Sequence, residues 1–306
     1  MVVSSEIPTR VVAVALCSDA RMEIPLHVAA TSVLQNLSPD FAVRFYLMLD
    51  GVEVGRLRKS LDKAHRPYEI VPLPIPNAST FSRLRPFFGG HAAYYRLLLP
   101  DMIQESRFLY LDTDTVTKID VAPLFSIDME GHAMGFVVDG RVKSVLESRF
   151  FLSLGMKEDD PMFNSGVMLV DVQQWHRENC FARIMQFCTE HANDLMTADQ
   201  TALNALFAQD CFHLNPIFNI KLSAVVKEGN PKTGIFHFVG NPKPWDLFGS
   251  MLHPYYALWD SAVQKTALGL SSRSFLNLSS WTRLPDILGG YRRVLRQRVE
   301  TRKKLR

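Results

Sequence analysis

The chain has 306 residues, 47% of them hydrophobic and 21% charged, which is ordinary globular usage with ample apolar material for a core. No apolar run approaches the roughly 20 residues that span a bilayer. The four cysteines, Cys17, Cys180, Cys188 and Cys211, form no C-x-x-C pair, which excludes a zinc knuckle or dithiol redox motif and reads most simply as reduced thiols in a cytoplasmic compartment. The net charge of +3 is uneven: Tyr291–Arg306 carries eight Arg/Lys and one acid, so the body is mildly acidic and its tail strongly basic.

Val11–Cys17 is apolar, but Glu6 and Pro8 precede it and no cleavage site follows, so it reads as a buried strand and not a signal peptide. Leu26, Ala29, Ala30, Val33, Leu34 and Leu37 then fall on one helix face, with Pro39 just beyond. Val43–Leu49 is a second strand, Val54–His65 a helix and Glu69–Val71 a weaker strand, followed by the prolines of 72–76 and a polar loop. Ala92–Ile103 reads as a helix, Phe108–Leu111 as a short strand, and Ala133–Val138 and Val167–Val170 as further strands. Gln173–His191 and Ala198–Ala208 read as helices and Ile235–Val239 as a late strand. Strands separated by helix-length segments predict an α/β domain with a mostly parallel central sheet and flanking helices, spanning residues 1–258. From residue 259 the texture becomes turn-rich, at Ser271–Ser274 and Asn277–Ser280, and ends in a basic helix; residues 259–306 are expected to form a small C-terminal helical appendage.

In such sheets ligands gather beyond the carboxyl ends of strands. The run Phe108–Leu111 ends in Asp112-Thr113-Asp114, and a period of two lets both carboxylates point to one side. Two hard oxygen donors there suit Mn²⁺ or Mg²⁺, which can bridge phosphates; the alternative is a solvated acidic turn. His237 stands between apolar neighbours in Ile235–Val239, followed by Gly240 and Lys243. Imidazole is a good ligand for such a metal, Gly240 allows close backbone approach and Lys243 offers a point charge to phosphate. Taken singly, they also read as a core histidine and a surface lysine. Asn164-Ser165-Gly166 precedes the strand Val167–Val170, where Asn and Ser can bond sugar hydroxyls and Gly permits an unusual backbone angle, or where the three simply form a turn. Asp199-Gln200 opens a helix, either to orient a sugar ring or because the helix dipole favours an acid there.

Together, Tyr94-Tyr95-Arg96-Leu97, Leu109–Asp114, Phe163–Val167, Asp199-Gln200 and His237–Trp245 resemble, in order and spacing, glycosyltransferase family 8. These are the retaining galactosyl- and glucosyltransferases of bacterial lipopolysaccharide synthesis and the glycogenin group. The resemblance runs from about Val11 to Trp245. It implies a GT-A type fold and transfer of a hexose, galactose or glucose, from a UDP-sugar to a saccharide or lipid-linked saccharide of a surface glycan. Asp112, Asp114 and His237 would hold Mn²⁺, with Mg²⁺ as the alternative, and Lys243 and Gly240 the donor diphosphate. Cys17 and Asp19 would meet the uracil and ribose. Arg96, Asp139, Asn164, Asp199 and Gln200 would contact the donor sugar, with Gln200 nearest the reacting carbon. The chain departs from the family in having Met22 where an aromatic ring often faces the base, a single acid in Ser18-Asp19-Ala20, and Thr201 where some relatives carry a third acid.

Gln200 is a poor nucleophile, so retention is expected by a same-face route in which the leaving phosphate helps take the acceptor proton. A catalytically silent nucleotide-sugar-binding protein is the rival reading. A sugar-phosphate nucleotidyltransferase is disfavoured because Val14–Glu23 contains no glycine. The tail offers Tyr291, Val294, Leu295 and Val299 against Arg292, Arg293, Arg296 and Arg298, which reads as a solvated helix or as a peripheral contact with the anionic inner face of the plasma membrane. Nothing elsewhere supports a nucleic-acid role.

Overall fold

The computed structural model describes residues 10–77, 80–84, 91–225, 229, 232–268 and 284–304. Strands β1 (Arg10–Asp19), β2 (Phe41–Asp50), β3 (Tyr68–Leu73), β4 (Arg107–Leu111), β6 (Met134–Phe136), β9 (Val167–Asp171) and β10 (Phe212–His213) form a seven-stranded sheet in the order β10-β6-β9-β4-β1-β2-β3. All neighbours in it are parallel except β9, which runs against both β4 and β6. The small strands β5 (Thr115–Thr117), β11 (Ile220–Leu222) and β12 (Ile235–Phe238) form a second sheet, and β7 (Val138–Arg141) pairs with β8 (Pro161–Phe163).

The two-residue period of β1 decides its layers. Val12, Val14 and Leu16 face one core with Leu109, Leu111, α1 (Glu23–Asn36) and α2 (Val54–Asp62), while Ala13 and Ala15 face another with Tyr110, Phe108 and Met168. That second core is roofed by α5 (Cys180–Glu190) and α6 (Asp199–Phe207), through Ile184, Cys188, Ala202, Leu203 and Phe207. Full burial of Ile184, Leu203 and Phe207 contributes about 1.5–3 kcal/mol each. The six apolar residues expected on one face of α1 are all buried, but so is every residue from Pro25 to Leu34. The reverse side of α1 is covered because Val28 packs with Val116, Phe236 and Trp259, and the Ser32 hydroxyl accepts from Thr117 N at 2.9 Å.

Three expected elements differ. Ala92–Ile103 is a 3₁₀ helix over Ala92–Asp101; its three-residue period places Tyr94, Leu97 and Pro100 inward. Gln173–His191 is broken into α4 (Val172–Arg177) and α5, because Asn179 takes a left-handed φ of +51° while Asp171 caps the first piece through Gln174 N at 3.0 Å. Ala133–Val138 divides at Val137: β6 stays in the large sheet and β7 leaves to pair with β8. Pro72 sits in β3 without cost because β3 is an edge strand.

Helices α3 (Ser148–Ser153), α7 (Gly249–Leu252) and α8 (Tyr256–Val263) follow on the surface; α8 crosses the expected division at residue 258 and packs Trp259 and Val263 into the core with Phe236 and Phe238. The turn-rich stretches at 271–274 and 277–280 lie outside the described residues. Helix α9 (Leu284–Lys304) lies on the body with Ile287, Tyr291 and Val294 buried. The guanidinium of Arg298 donates to the carbonyls of Ala224, Val225 and Leu252 at 2.8–3.0 Å. Two of the four residues expected to form the membrane-facing stripe, Tyr291 and Val294, are therefore spent on packing, and Arg298 is an anchor; the exposed apolar positions are Leu288, Leu295 and Val299. No helix among the described residues is long and apolar enough to cross a membrane.

Candidate active site

The parallel pairing of β1 with β4 brings Cys17 and Asp112–Asp114 to one edge of the sheet. Because β9 is reversed, its amino end reaches the same edge: Leu111 faces Val167, and Asp112 N donates to Gly166 O at 2.7 Å. Asn164-Ser165-Gly166 thus stands beside the acids although it precedes its strand. His237 arrives by the antiparallel pairing of β12 with β5, where Phe238 N donates to Asp114 O at 3.0 Å.

One ligand atom each from Asp112, Asp114 and His237 lies within 4.8 Å of the others. His237 Nε2 is 3.0 Å from Asp114 Oδ1 and 3.8 Å from Asp112 Oδ2. Their second oxygens are already held. Asp112 Oδ1 accepts from the Tyr110 hydroxyl at 2.7 Å and lies 3.3 Å from Arg96 Nη1, and Asp114 Oδ2 is 2.6 Å from Lys243 Nζ. Lys243 also donates to Phe238 O. Burial opposes ionisation of Asp114, but Lys243 and His237 outweigh it and hold the carboxyl well below its usual range. Gly166 forms the floor of this cradle: a Cβ there would stand 2.2 Å from His237 Cε1 and 2.6 Å from Asp112 Oδ2. Its φ is not in the left-handed region, so it is the missing side chain, not the expected unusual backbone angle, that the position requires. Two carboxylates and one imidazole converging on a space lined by a glycine fit a divalent cation.

Behind the cradle lies Arg96, buried with its Nε 3.0 Å from Asp199 Oδ2, its Nη1 donating to Ser165 O at 2.9 Å, and its guanidinium 4.6 Å from the Tyr110 ring centroid. Burial works against its charge, but Asp112 and Asp199 more than compensate. Asp199 is 1% exposed; burial pushes its pKa up to about 6, Arg96 opposing and Asp112 adding. Cys17 is pushed up to about 12, chiefly by burial, which keeps it a neutral thiol. All four cysteines are free thiols.

The amides form one connected group. Gln200 Oε1 accepts from Asn164 Nδ2 at 3.0 Å and Ser165 N at 3.1 Å, and Asn164 Oδ1 accepts from Gly166 N at 3.0 Å. Gly240 adopts a φ of +72° with open space beside it, as a close-approach glycine requires. The structure therefore joins Asp112, Asp114, His237, Lys243, Arg96, Asn164, Asp199 and Gln200. Asp19 pairs with Arg21 at 2.6 Å and Asp139 with Lys221 at 2.8 Å, Lys221 lying beside His237 in the pairing of β11 with β12.

Sequence reasoning missed three contributors. Tyr110 reads in the sequence as part of an apolar strand, and its hydroxyl's bond to Asp112 is seen only in the fold. Asn219 bonds His237 Nδ1 at 3.1 Å. Glu147 accepts from Met196 N, Thr197 Oγ1 and Thr201 Oγ1, so the position lacking the family's third acid is hydrogen-bonded to a carboxylate from a distant turn. Those bonds pin Ala198, at φ +55° and ψ −127°, a conformation costing about 1–3 kcal/mol, just before Asp199 and Gln200. No motif marks Asn219 or Glu147.

The sequence pattern of glycosyl transferase family 8 matches residues 13–248. General stress protein A of Bacillus subtilis is 26% identical over 261 residues, covering 78% of this chain and 88% of that protein. Glycosyltransferase GlyF of Streptococcus pneumoniae is 24% identical over 252 residues, and the match covers 77% of this chain but 57% of GlyF. The crystal structure of the galactosyltransferase LgtC, in complex with donor and acceptor sugar analogs, superposes with a TM-score of 0.68 at 21% identity, covering 86% of this chain and 100% of that one. The architecture is accordingly the GT-A fold, and a match over most of the chain, meeting a site of this composition, places the protein in glycosyltransferase family 8.

Proposed function

We propose that this glycosyltransferase moves a hexose, galactose or glucose, from a UDP-sugar to a saccharide acceptor with retention of configuration, assisted by a divalent cation, Mn²⁺ before Mg²⁺. The observation that carries this reading is the convergence of Asp112, Asp114 and His237 with Lys243 beside them. When bound, the cation supplies charge neutralisation to the departing diphosphate. Lys243 adds a point charge and Gly240 leaves room for phosphate against backbone. Arg96, Asn164, Asp199 and Gln200 shape the donor-sugar side, with Asp139 at its margin and Cys17 and Asp19 toward the base; Met22 replaces a stacking ring.

The Gln200 carbonyl oxygen is committed to donors from Asn164 and Ser165, which supports its not attacking the sugar carbon. Asp199 is tied to a buried arginine and is no better placed. With no free nucleophile among these groups, departure and attack on one face, the leaving phosphate taking the acceptor proton, accounts for the chemistry. Steady UDP release from UDP-galactose or UDP-glucose in Mn²⁺, stopped by chelator, is expected, and NMR of the product should show the donor's anomeric configuration. A protein that binds the donor but never turns it over is the silent rival; an inverted linkage defeats the same-face route.

The acceptor is expected to be a saccharide or lipid-linked saccharide of a bacterial surface glycan, met at the cytoplasmic face of the membrane. The exposed Leu288, Leu295 and Val299, flanked by Arg292, Arg293 and Arg296, support peripheral contact with an anionic bilayer. Truncating α9 would also uncover the carbonyls that Arg298 holds, so a point variant is cleaner. Leu295→Glu with Val299→Glu is expected to lower sedimentation with anionic vesicles about tenfold, given roughly 0.8 kcal/mol per buried methylene. Unchanged sedimentation removes the membrane contact.

A further inference from the structure

We propose that Asn219 is a positioning residue that fixes the tautomer of His237 and so aims the lone pair of Nε2 into the cradle between Asp112 and Asp114. This rests on the metal reading of the site. Two backbone N–H groups, which can only donate, set the polarity of the amides. Gly166 N donates to the Asn164 side chain at 3.0 Å, so the atom it meets is the oxygen Oδ1. Ser165 N likewise donates to the Gln200 side chain at 3.1 Å, which fixes Oε1 there and turns Asn164 Nδ2 toward it, 3.0 Å away. The Asn219 amide approaches Asn164 at two oxygens, the backbone O and Oδ1, both at 3.3 Å. Only the Asn219 NH₂ satisfies both, so its Oδ1 is the atom facing His237 Nδ1 at 3.1 Å.

An amide oxygen only accepts, so Nδ1 carries a proton, and Nε2, 3.0 Å from Asp114 Oδ1, is the nitrogen left to give its lone pair to a cation. His237 and Asn219 are each 3% exposed, which leaves little room for water to substitute for either partner. A flipped amide would set an NH₂ against the ring and an oxygen against two oxygens, leaving buried polar atoms unpaired. The chain of amides thus carries a polarity from the backbone before β9 to the ring on β12. Partners of this kind on a ligand histidine are typically worth about 10- to 100-fold in metal affinity.

Mn²⁺ binding followed by the free-ion electron paramagnetic resonance signal tests the assignment, with melting temperatures measured alongside. Asn219→Ala is expected to weaken Mn²⁺ binding about 10- to 100-fold, whereas Asn219→Asp, which keeps an acceptor toward Nδ1 but sets an oxygen against the two oxygens of Asn164, should melt below the parent yet bind Mn²⁺ more tightly than Asn219→Ala. A purely structural residue would make both variants fail alike. Parent-like binding by Asn219→Ala, or equal loss in both variants, overturns the proposal. If Asn219→Ala does not fold, ¹⁵N spectra of the His237 ring in the unaltered chain loaded with Mg²⁺ decide it. A protonated Nδ1 is expected, and a bare Nδ1 overturns the assignment. An unaltered chain that binds no Mn²⁺ sinks the metal reading and this one together; one that binds Mn²⁺ while Asn219→Ala does too sinks only the role of Asn219.

Discussion

Asp112→Asn should yield a folded protein that releases UDP from its donor about 100- to 1,000-fold more slowly than the parent, the usual loss when one preorganised electrostatic contact is taken from a reacting site. The fold should survive because the substitution is isosteric and because Arg96, the buried cation that Asp112 helps neutralise, keeps Asp199 at 3.0 Å. The Tyr110 hydroxyl also keeps an acceptor in the amide oxygen. What disappears is the anionic charge at Oδ2, the atom turned toward His237. The informative pair of measurements is the rate of UDP release across a Mn²⁺ titration and the thermal melt. Full activity in this variant, or activity indifferent to chelator, would remove the cation from the mechanism.

Gly166→Ala asks whether the cradle is as tight as it looks. The added methyl would meet His237 Cε1 at 2.2 Å, Asp112 Oδ2 at 2.6 Å and His237 Nδ1 at 2.8 Å. His237 cannot swing away, because all four residues of β12 are buried and the ring is held by Asn219. Asp112 is the more yielding neighbour, but it is fastened on its other oxygen to Tyr110. The expected result is a loss of about 1–3 kcal/mol of stability from overpacking together with at least about 100-fold lower activity, since both displaced groups belong to the charge-stabilising set. Calorimetry and the same UDP assay check the two halves separately. A variant with parental melting and rate would show that the ring and carboxylate move freely and that the site is looser than its contacts imply.

Much of this site was legible because its chemistry sits where strand periodicity points. Asp112 and Asp114 end an apolar strand, His237 interrupts another, and Lys243 follows a glycine turn. Residues whose importance comes only from a contact through space were not legible. Asn219 lies in an unremarked stretch before a three-residue strand, and nothing local says that it will face His237. Glu147 reads as a surface acid until the fold brings Met196 and Thr201 against it. Asn164-Ser165-Gly166 was visible as a polar group, but its place at the carboxyl-end edge depends on β9 running backwards, which pairing decides and periodicity does not. The same limit explains the elements that differed. Apolar spacing continues unbroken through Asn179 and through Val137, so the helix break and the strand's change of sheet leave no mark on the pattern. In α9 the pattern shows an amphipathic helix but not how it is rotated, and the body claimed Tyr291 and Val294.

The partners in the cradle are far apart along the chain, with 129 residues separating Asp114 from Lys243 and 69 separating Arg96 from Ser165. No fragment, and no partly folded chain with β12 undocked, can present the three ligand atoms at once. A cation held there by the native state alone would add to stability by mass action, about 2.7 kcal/mol at a hundred times its dissociation constant. The supply of the ion would then govern how long the protein lasts as well as how fast it works, and starvation for it would leave every copy more open to proteolysis.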